Sequence, residues 1–249
     1  MILLIDVGNT RIKSATLIAD QLTPLQPIVW RANPAPQHDF DARWHHLEPD
    51  AVLISNVGGR EVGGSLSTWM REVWPSVAPE FVTVSGSLGH LHCAYPEPDK
   101  LGVDRWVAIR GAVARFPAQP VLVLDIGTAG TSDLVSAQGV HLGGAIFPGI
   151  GTMRRALAGD TAQLNVPAGD VTPFANNTPD AIAGGTAYAL AGALARFVSE
   201  AQQRCGADAL EIVLTGGEAG MIAPLLHVPT CLAPDLVLEG LAEIVKEKL

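Results

Sequence analysis

Two short unbroken apolar runs, ILLI at 2–5 and VLVL at 121–124, each run straight into an aspartate and, two residues on, a glycine. A run of this length bounded by turn residues reads as a strand buried in a core. After the first run the chain turns through Gly8-Asn9-Thr10 into a second apolar-rich stretch, which predicts a hairpin of strands 1–6 and 11–18. A short strand is expected near 28–31, then strand 51–55, a helix over about 62–74, strand 81–85 and a helix over about 103–116. In the last of these, Trp106, Ile109, Val113 and Phe116 recur at helical spacing.

The same order returns in the second half. Strand 121–125 passes through Gly127-Thr128-Ala129-Gly130 into strand 132–136, and 140–147 supplies a third strand that Pro148-Gly149 ends. A short helix is expected at 153–157, and a long one, rich in Ala and Gly, at 178–204. Thr178-Pro179-Asp180 opens the long helix, with a hydroxyl at the N-cap and proline in the first turn. Strand 211–215, the turn Gly216-Gly217 and a helix from about 236 follow. The join falls near Pro117-Ala118-Gln119-Pro120, so the pattern predicts a duplicated α/β domain, 1–118 and 119–249. The proline-rich segment 24–49 predicts no element of its own beyond the short strand.

Composition narrows the class. At 249 residues and 48% hydrophobic content the chain can bury a core in each half. Its first apolar run stops at Asp6, too short for a signal peptide or a membrane span, and a cytoplasmic protein is expected. Cys93, Cys205 and Cys231 are widely spaced, which suits a reducing compartment and not disulfides or structural zinc. The histidines, among them His45-His46, have no cysteine or carboxylate at ligand spacing. The net charge is −9 and the 16 basic residues form no run, which disfavours nucleic acid as a partner. A small anion remains open, because a few backbone N–H groups make a local positive site even in an acidic protein.

That possibility falls on the two glycine turns. Glycine permits positive φ, so successive N–H groups can converge on an anion, and Thr10 and Thr128 add hydroxyl donors. Asp6 and Asp125 would hold the accompanying cation, since hard cations prefer carboxylate and water oxygens. A plain hairpin turn explains one such stretch equally well. Its repetition in duplicated halves favours nucleotide phosphate. Leu214-Thr215-Gly216-Gly217-Glu218-Ala219 offers a third turn whose bare backbone suits an adenine or ribose, and no P-loop motif occurs. A further dense patch is YPEPDKLGVDRW at 95–106. There Asp104 and Arg105 occupy the first turn of a helix, where the helix dipole favours a carboxylate. Asp104 suits a base that accepts a hydroxyl proton, and Arg105 a fork for a substrate carboxylate. The plainer alternative is a helix-capping Asp beside a surface Arg.

With these residues assembled, the chain resembles the type III pantothenate kinases, of the acetate-kinase, sugar-kinase, Hsp70 and actin superfamily. The motifs are DVGNTRIK at 6–13, YPEPDKLGVDRW at 95–106, DIGTAGTSDLV at 125–135, GGAIFPGI at 143–150, NNTPDAI at 176–182, LTGG at 214–217 and PDLVLEGL at 234–241. The resemblance implies two duplicated actin-like (RNase H-like) domains with a nucleotide cleft between them. It implies ATP contacts from Asp6, Val7, Gly8, Asn9, Thr10, Arg11, Ile12, Lys13 and Thr128. Tyr95, Gly102, Val103, Asp104 and Arg105 would form the pantothenate pocket, with Asp104 as general base. Asp125 would bind a monovalent cation, K⁺ or NH₄⁺, and Asp6 would hold Mg²⁺ of Mg-ATP through water. Thr178 would reach pantothenate from the partner subunit, so a homodimer with a shared site is implied, with neither nucleic acid nor membrane as partner. The implied reaction is ATP-dependent phosphorylation of pantothenate, the first step of coenzyme A biosynthesis.

Two other functions stay open on this fold. An exopolyphosphatase-like phosphohydrolase also uses two phosphate turns, but it needs a long basic channel that the sparse basic residues disfavour. A non-catalytic transcriptional accessory factor should show damage at Asp6, Asp104 or Asp125, and all three are present.

Overall fold

A computed structural model describes all residues except 32, 34, 35, 86, 89, 161–168, 207, 208 and 249. Three positions of the proline-rich segment, 32, 34 and 35, thus lie outside the described residues. The chain forms two compact units, one of Met1–Arg115 with Asp235–Leu249 and one of Phe116–Pro234.

The first unit runs β1 (Ile2–Val7), β2 (Arg11–Ile18), β3 (Gln21–Pro24), β4 (Ile28–Val29), α1 (Gln37–Trp44), β5 (Ala51–Asn56), α2 (Arg60–Val73), β6 (Pro79–Phe81), β7 (Ser87–Leu88), β8 (Leu91–His92) and α3 (Val103–Arg115). Its sheet has the order β3-β2-β1-β5-β6, with β4 also on β2. The second unit runs β9 (Val121–Ile126), β10 (Ala129–Val135), β11 (His141–Pro148), α4 (Ile150–Asp160), α5 (Thr178–Cys205), β12 (Glu211–Thr215), α6 (Ala219–Ile222) and β13 (Cys231–Leu232). Its sheet has the order β11-β10-β9-β12-β13. In each sheet the first three strands are antiparallel and the last two join parallel. Identical strand order and sense in both sheets carry the duplication.

The continuous apolar run of β1 has a physical cause: both of its faces are covered. Leu3, Ile5 and Val7 face a core with Phe40 and Trp44 of α1 and Leu66, Trp69 and Met70 of α2. Phe40 and Trp44 stack at 5.4 Å, and the Trp44 indole N–H donates to Ser14 Oγ at 3.1 Å. On the other face lie α3 and the last helix, α7 (Leu236–Lys248), which packs on α3, β1, β2 and β5. The 119–249 domain expected from the sequence is therefore corrected: α7 returns to the first unit. Glycines allow α3 and α7 to touch backbone to backbone. A Cβ on Gly240 would collide with the Val107 carbonyl, and one on Gly111 would stand 2.6 Å from the Leu236 carbonyl oxygen. Leu238, Leu241 and Ile244 are buried. Arg115 pairs with Glu239 through two bonds of 2.6 Å, and Arg110 with Glu247.

Other boundaries also move. β3 and α1 were not expected. The β2–β3 turn uses positive φ at Ala19 and Asp20, 44° and 67°, without a glycine to mark it. Helix α1 shows only Phe40 and Trp44, one turn apart, on its buried side. The strand expected at 28–31 is limited to Ile28–Val29, that at 81–85 lies at Pro79–Phe81, and α4 is longer than 153–157.

In the second unit α5 covers the sheet with Ala187, Leu190, Leu194, Val198 and Ala201 against Leu122, Leu124 and Leu214. By length and composition α5 could also cross a bilayer, yet half of its most apolar window is buried within the protein.

Candidate active site

Asp6 stands near the end of β1, paired across the sheet with Lys13 on β2 and Ser55 on β5. Asp125 stands in the corresponding place on β9, paired with Thr131 and Thr215. Each aspartate thus has a hydroxyl residue beside it on the parallel strand, Ser55 or Thr215, and both are buried. Among the described residues the Ser55 Oγ meets no hydrogen-bond partner. The sequence reading passed over this pair. Superposing the two halves would have found it, because S-N-V-G-G and T-G-G both end a strand in a hydroxyl residue and glycines.

The two phosphate-type turns differ from expectation in one respect. Neither Gly8 nor Gly127 has positive φ, and the N–H of each closes the turn, on Arg11 O at 3.0 Å and on Ala129 O at 3.2 Å. The glycine amides themselves are committed. What shapes the first turn is a set of donors on its carbonyls. The Trp30 indole donates to Gly8 O at 2.9 Å, Arg31 Nη1 to Asn9 O at 3.2 Å and the Trp30 backbone to Thr10 O at 3.3 Å. A trans peptide points its N–H opposite to its C=O. Holding three successive carbonyls toward Trp30 and Arg31 therefore turns the amides that follow them the other way, as an anion site requires. Nothing in the local sequence marks Trp30 or Arg31 for this role; β4 delivers them.

In the second turn the Thr128 carbonyl is drawn off likewise, accepting from Gly149 N–H at 3.2 Å and from the Thr152 hydroxyl at 2.5 Å. Thr128 itself is exposed. Gly149 must be glycine, since a Cβ there would collide with the Gly127 carbonyl. The Gly216-Gly217 turn closes in from β12. Gly216 has φ +93°, and a Cβ on it would collide with Asp125 Oδ1 and the Ile126 carbonyl. Glu218 N–H then donates to Ile126 O at 3.1 Å. The third turn is thus packed directly on the aspartate of the second.

The start of α3 brings three expected residues together. Gly102 accepts the first helical bond, from Trp106 N–H at 3.1 Å, which puts Asp104 in the first turn. Asp104 Oδ1 accepts from Arg105 N–H at 2.8 Å. A Cβ on Gly102 would stand 2.7 Å from that same oxygen, so glycine leaves the carboxylate its place. Arg105 is buried, donates to the Tyr95 hydroxyl at 3.2 Å and lies 5.9 Å from the centre of the Tyr95 ring. The capping-Asp alternative is therefore partly right in geometry, while Arg105 is no surface residue.

A family model for type III pantothenate kinase matches residues 2–200. A Verminephrobacter eiseniae type III pantothenate kinase is 37% identical over 256 residues, covering 99% of this chain and 98% of that protein. One from Methylibium petroleiphilum is 39% identical over 255 residues, covering 99% of each. The chain belongs to the type III pantothenate kinase family. The fold agrees. A Campylobacter jejuni protein assigned to the Baf family of transcriptional activators aligns with TM-score 0.60 at 20% identity, covering 99% of this chain and 98% of that one. The activator of 2-hydroxyisocaproyl-CoA dehydratase from Clostridium difficile, with bound ADPNP, aligns with TM-score 0.52 at 12% identity, covering 99% and 96%. At these identities the likeness is one of fold, and it makes both units actin-like.

At the start of α5 the cap expected from the sequence is corrected. Asn177, not Thr178, is the N-cap: its backbone is extended, and its side chain accepts from Asp180 N–H at 3.0 Å. Asp180 Oδ2 answers by accepting from the Asn177 side-chain Nδ2 at 2.6 Å, so the two side chains brace each other across the helix start. The Asn177 side chain first, then the Asp170 N–H, hold the Asp180 carboxyl below its ordinary pKa. Thr178 sits exposed in the first turn.

Proposed function

We propose that this chain transfers the γ-phosphoryl group of ATP to the primary hydroxyl of pantothenate, giving 4′-phosphopantothenate and ADP at the start of coenzyme A biosynthesis. The observation that carries it is the α3 start, where a carboxylate, a buried guanidinium and a phenol converge within a chain of this family. Asp104 orients the hydroxyl and takes its proton as the bond to phosphorus forms. Arg105 and Tyr95, with Gly102 and Val103, receive pantothenate, and the Arg105 fork matches a carboxylate. Residues 6–13 contact the ATP phosphates, and Thr128 joins them.

The oxygen donors beside the two aspartates, Asp6 with Ser55 and Asp125 with Thr131 and Thr215, suit hard cations. Asp6 would hold Mg²⁺ through water and Asp125 a monovalent cation, K⁺ or NH₄⁺. When bound, these ions neutralise phosphate charge. Replacing K⁺ by Na⁺ or choline, at constant ionic strength and Mg²⁺, is expected to collapse the rate. Equal rates in all three salts would remove the monovalent site.

The working form is a cytoplasmic homodimer in which Thr178 serves the partner's pantothenate site. Support comes from the outer face of α5, where Ala181, Gly185, Ala189, Gly192 and Ala193 are exposed beside Tyr188. A Cβ on Gly185 or Gly192 would meet nothing within 4 Å, so that side is open to close packing. Ile182 and Ala201 belong to the buried side of the same helix. Interior glycine costs a helix about 1 kcal/mol relative to alanine, a cost that packing against a second copy would offset. Inactive Asp104→Asn and Thr178→Ala chains, mixed and allowed to exchange subunits, are expected to recover activity. A dimer without recovery would place both residues in one subunit's site, and a fully active monomer would end the shared-site proposal.

A further inference from the structure

Helix α4 cannot cap itself. Gly149 accepts its first helical bond, from Met153 N–H at 2.9 Å, but carries no side chain, and a Cβ there would collide with the Gly127 carbonyl. The acceptor for the next N–H groups comes from across the unit. Glu218 Oε2 accepts from Ile150 N–H at 3.1 Å and Oε1 from Gly151 N–H at 3.3 Å. A carboxylate is the favoured partner for such N–H groups, through both the charge-assisted bonds and the helix dipole.

Two features set this apart from an ordinary cap. The glutamate belongs to the Gly216-Gly217 turn, and its own N–H donates to the Ile126 carbonyl, one residue past Asp125. The helix start that it caps is also what holds Thr128, through Gly149 N–H and the Thr152 hydroxyl on the Thr128 carbonyl. A chain of contacts therefore runs from Glu218 through the first turn of α4 to the peptide plane of Thr128. Moving α4 away would let that plane rotate and with it the Ala129 N–H on its far side.

We propose that Glu218 is a positioning residue for the nucleotide: by capping α4 from the third turn, its carboxylate aims the Ala129 N–H of the Thr128–Ala129 peptide, and with it the Thr128 hydroxyl, at phosphate. This rests on the proposal that the 125–130 turn takes ATP phosphate. Once α4 is anchored, the Ala129 N–H and the Thr128 hydroxyl are in place before ATP arrives, and none of its binding energy is spent ordering them.

The test varies ATP and pantothenate independently for wild type, Glu218→Ala, Glu218→Gln and Thr128→Ala, with a thermal melt of each. Glu218→Ala is expected to raise KM for ATP roughly tenfold, while KM for pantothenate stays within about twofold. Glu218→Gln keeps one carbonyl acceptor but sets an amide N–H₂ against the other helix N–H, and is expected to fall between. Should Glu218→Ala fail to fold, Glu218→Gln alone carries the comparison. A lowered melting temperature with unchanged KM for ATP would make Glu218 a structural cap only and overturn the proposal. Thr128→Ala separates the two levels. If neither it nor a Glu218 variant changes KM for ATP, the phosphate role of the turn falls and Glu218's role with it. If it raises KM for ATP while neither Glu218 variant does, the turn stands and Glu218 is excluded.

Discussion

Asp104→Asn is expected to keep the fold and the binding of both substrates while lowering kcat by about 10²–10⁴-fold, the usual loss when a positioned base is removed. The geometry makes the substitution clean. Asp104 lies in the first turn of α3, and its Oδ1 accepts from Arg105 N–H at 2.8 Å. Asparagine keeps an oxygen for that bond, so the helix start and the Arg105–Tyr95 contact have no cause to move. What is lost is the second oxygen as a proton acceptor. The measurement is kcat at saturating ATP and pantothenate, beside calorimetric binding of each. A variant retaining half of wild-type kcat would show that Asp104 is not the base.

Gly216→Ala is expected to cost at least about 10²-fold in kcat/KM for ATP, although it removes no side-chain group, because displacements near 1 Å are enough for such losses. Gly216 has φ +93°, and its place beside β9 leaves no room for a methyl group: Asp125 Oδ1 and the Ile126 carbonyl are both in the way. A non-glycine residue held in so sparsely populated a backbone region costs on the order of 1–3 kcal/mol. Relief can come only by moving the turn off β9 or pushing the Asp125 carboxylate aside, and either disturbs the turn proposed to take phosphate. Gly220→Ala is the control. It lies in α6, where an added Cβ meets nothing within 4 Å, and its kinetics should match wild type. Wild-type kcat/KM in Gly216→Ala, with Gly220→Ala also unchanged, would show that the position of Asp125 does not matter to ATP.

By itself the sequence determined what is encoded within a few residues. Strands β1 and β9 follow from apolar runs with an aspartate and a glycine behind them, α3 from helical spacing with Asp104 and Arg105 in its first turn, and the duplication from repetition of that order. Each depends on side chains that neighbour one another along the chain. The start of α5 marks the limit, because Asn177 and Thr178 are both good caps, and the extended backbone at Asn177 made the choice. Tertiary structure alone decided which distant residues meet. It returned α7 to the first unit, because Gly111 and Gly240 let two helix backbones touch. It placed Trp30 and Arg31 on the carbonyls of the 8–10 turn, Ser55 and Thr215 beside the two aspartates, and Glu218 on the start of α4. Tryptophan, serine and glutamate have many uses, and their local surroundings do not distinguish one from another. Their roles arise only when sheet pairing and helix packing bring together segments far apart in the chain, where a hydrogen bond or a missing Cβ then fixes the geometry.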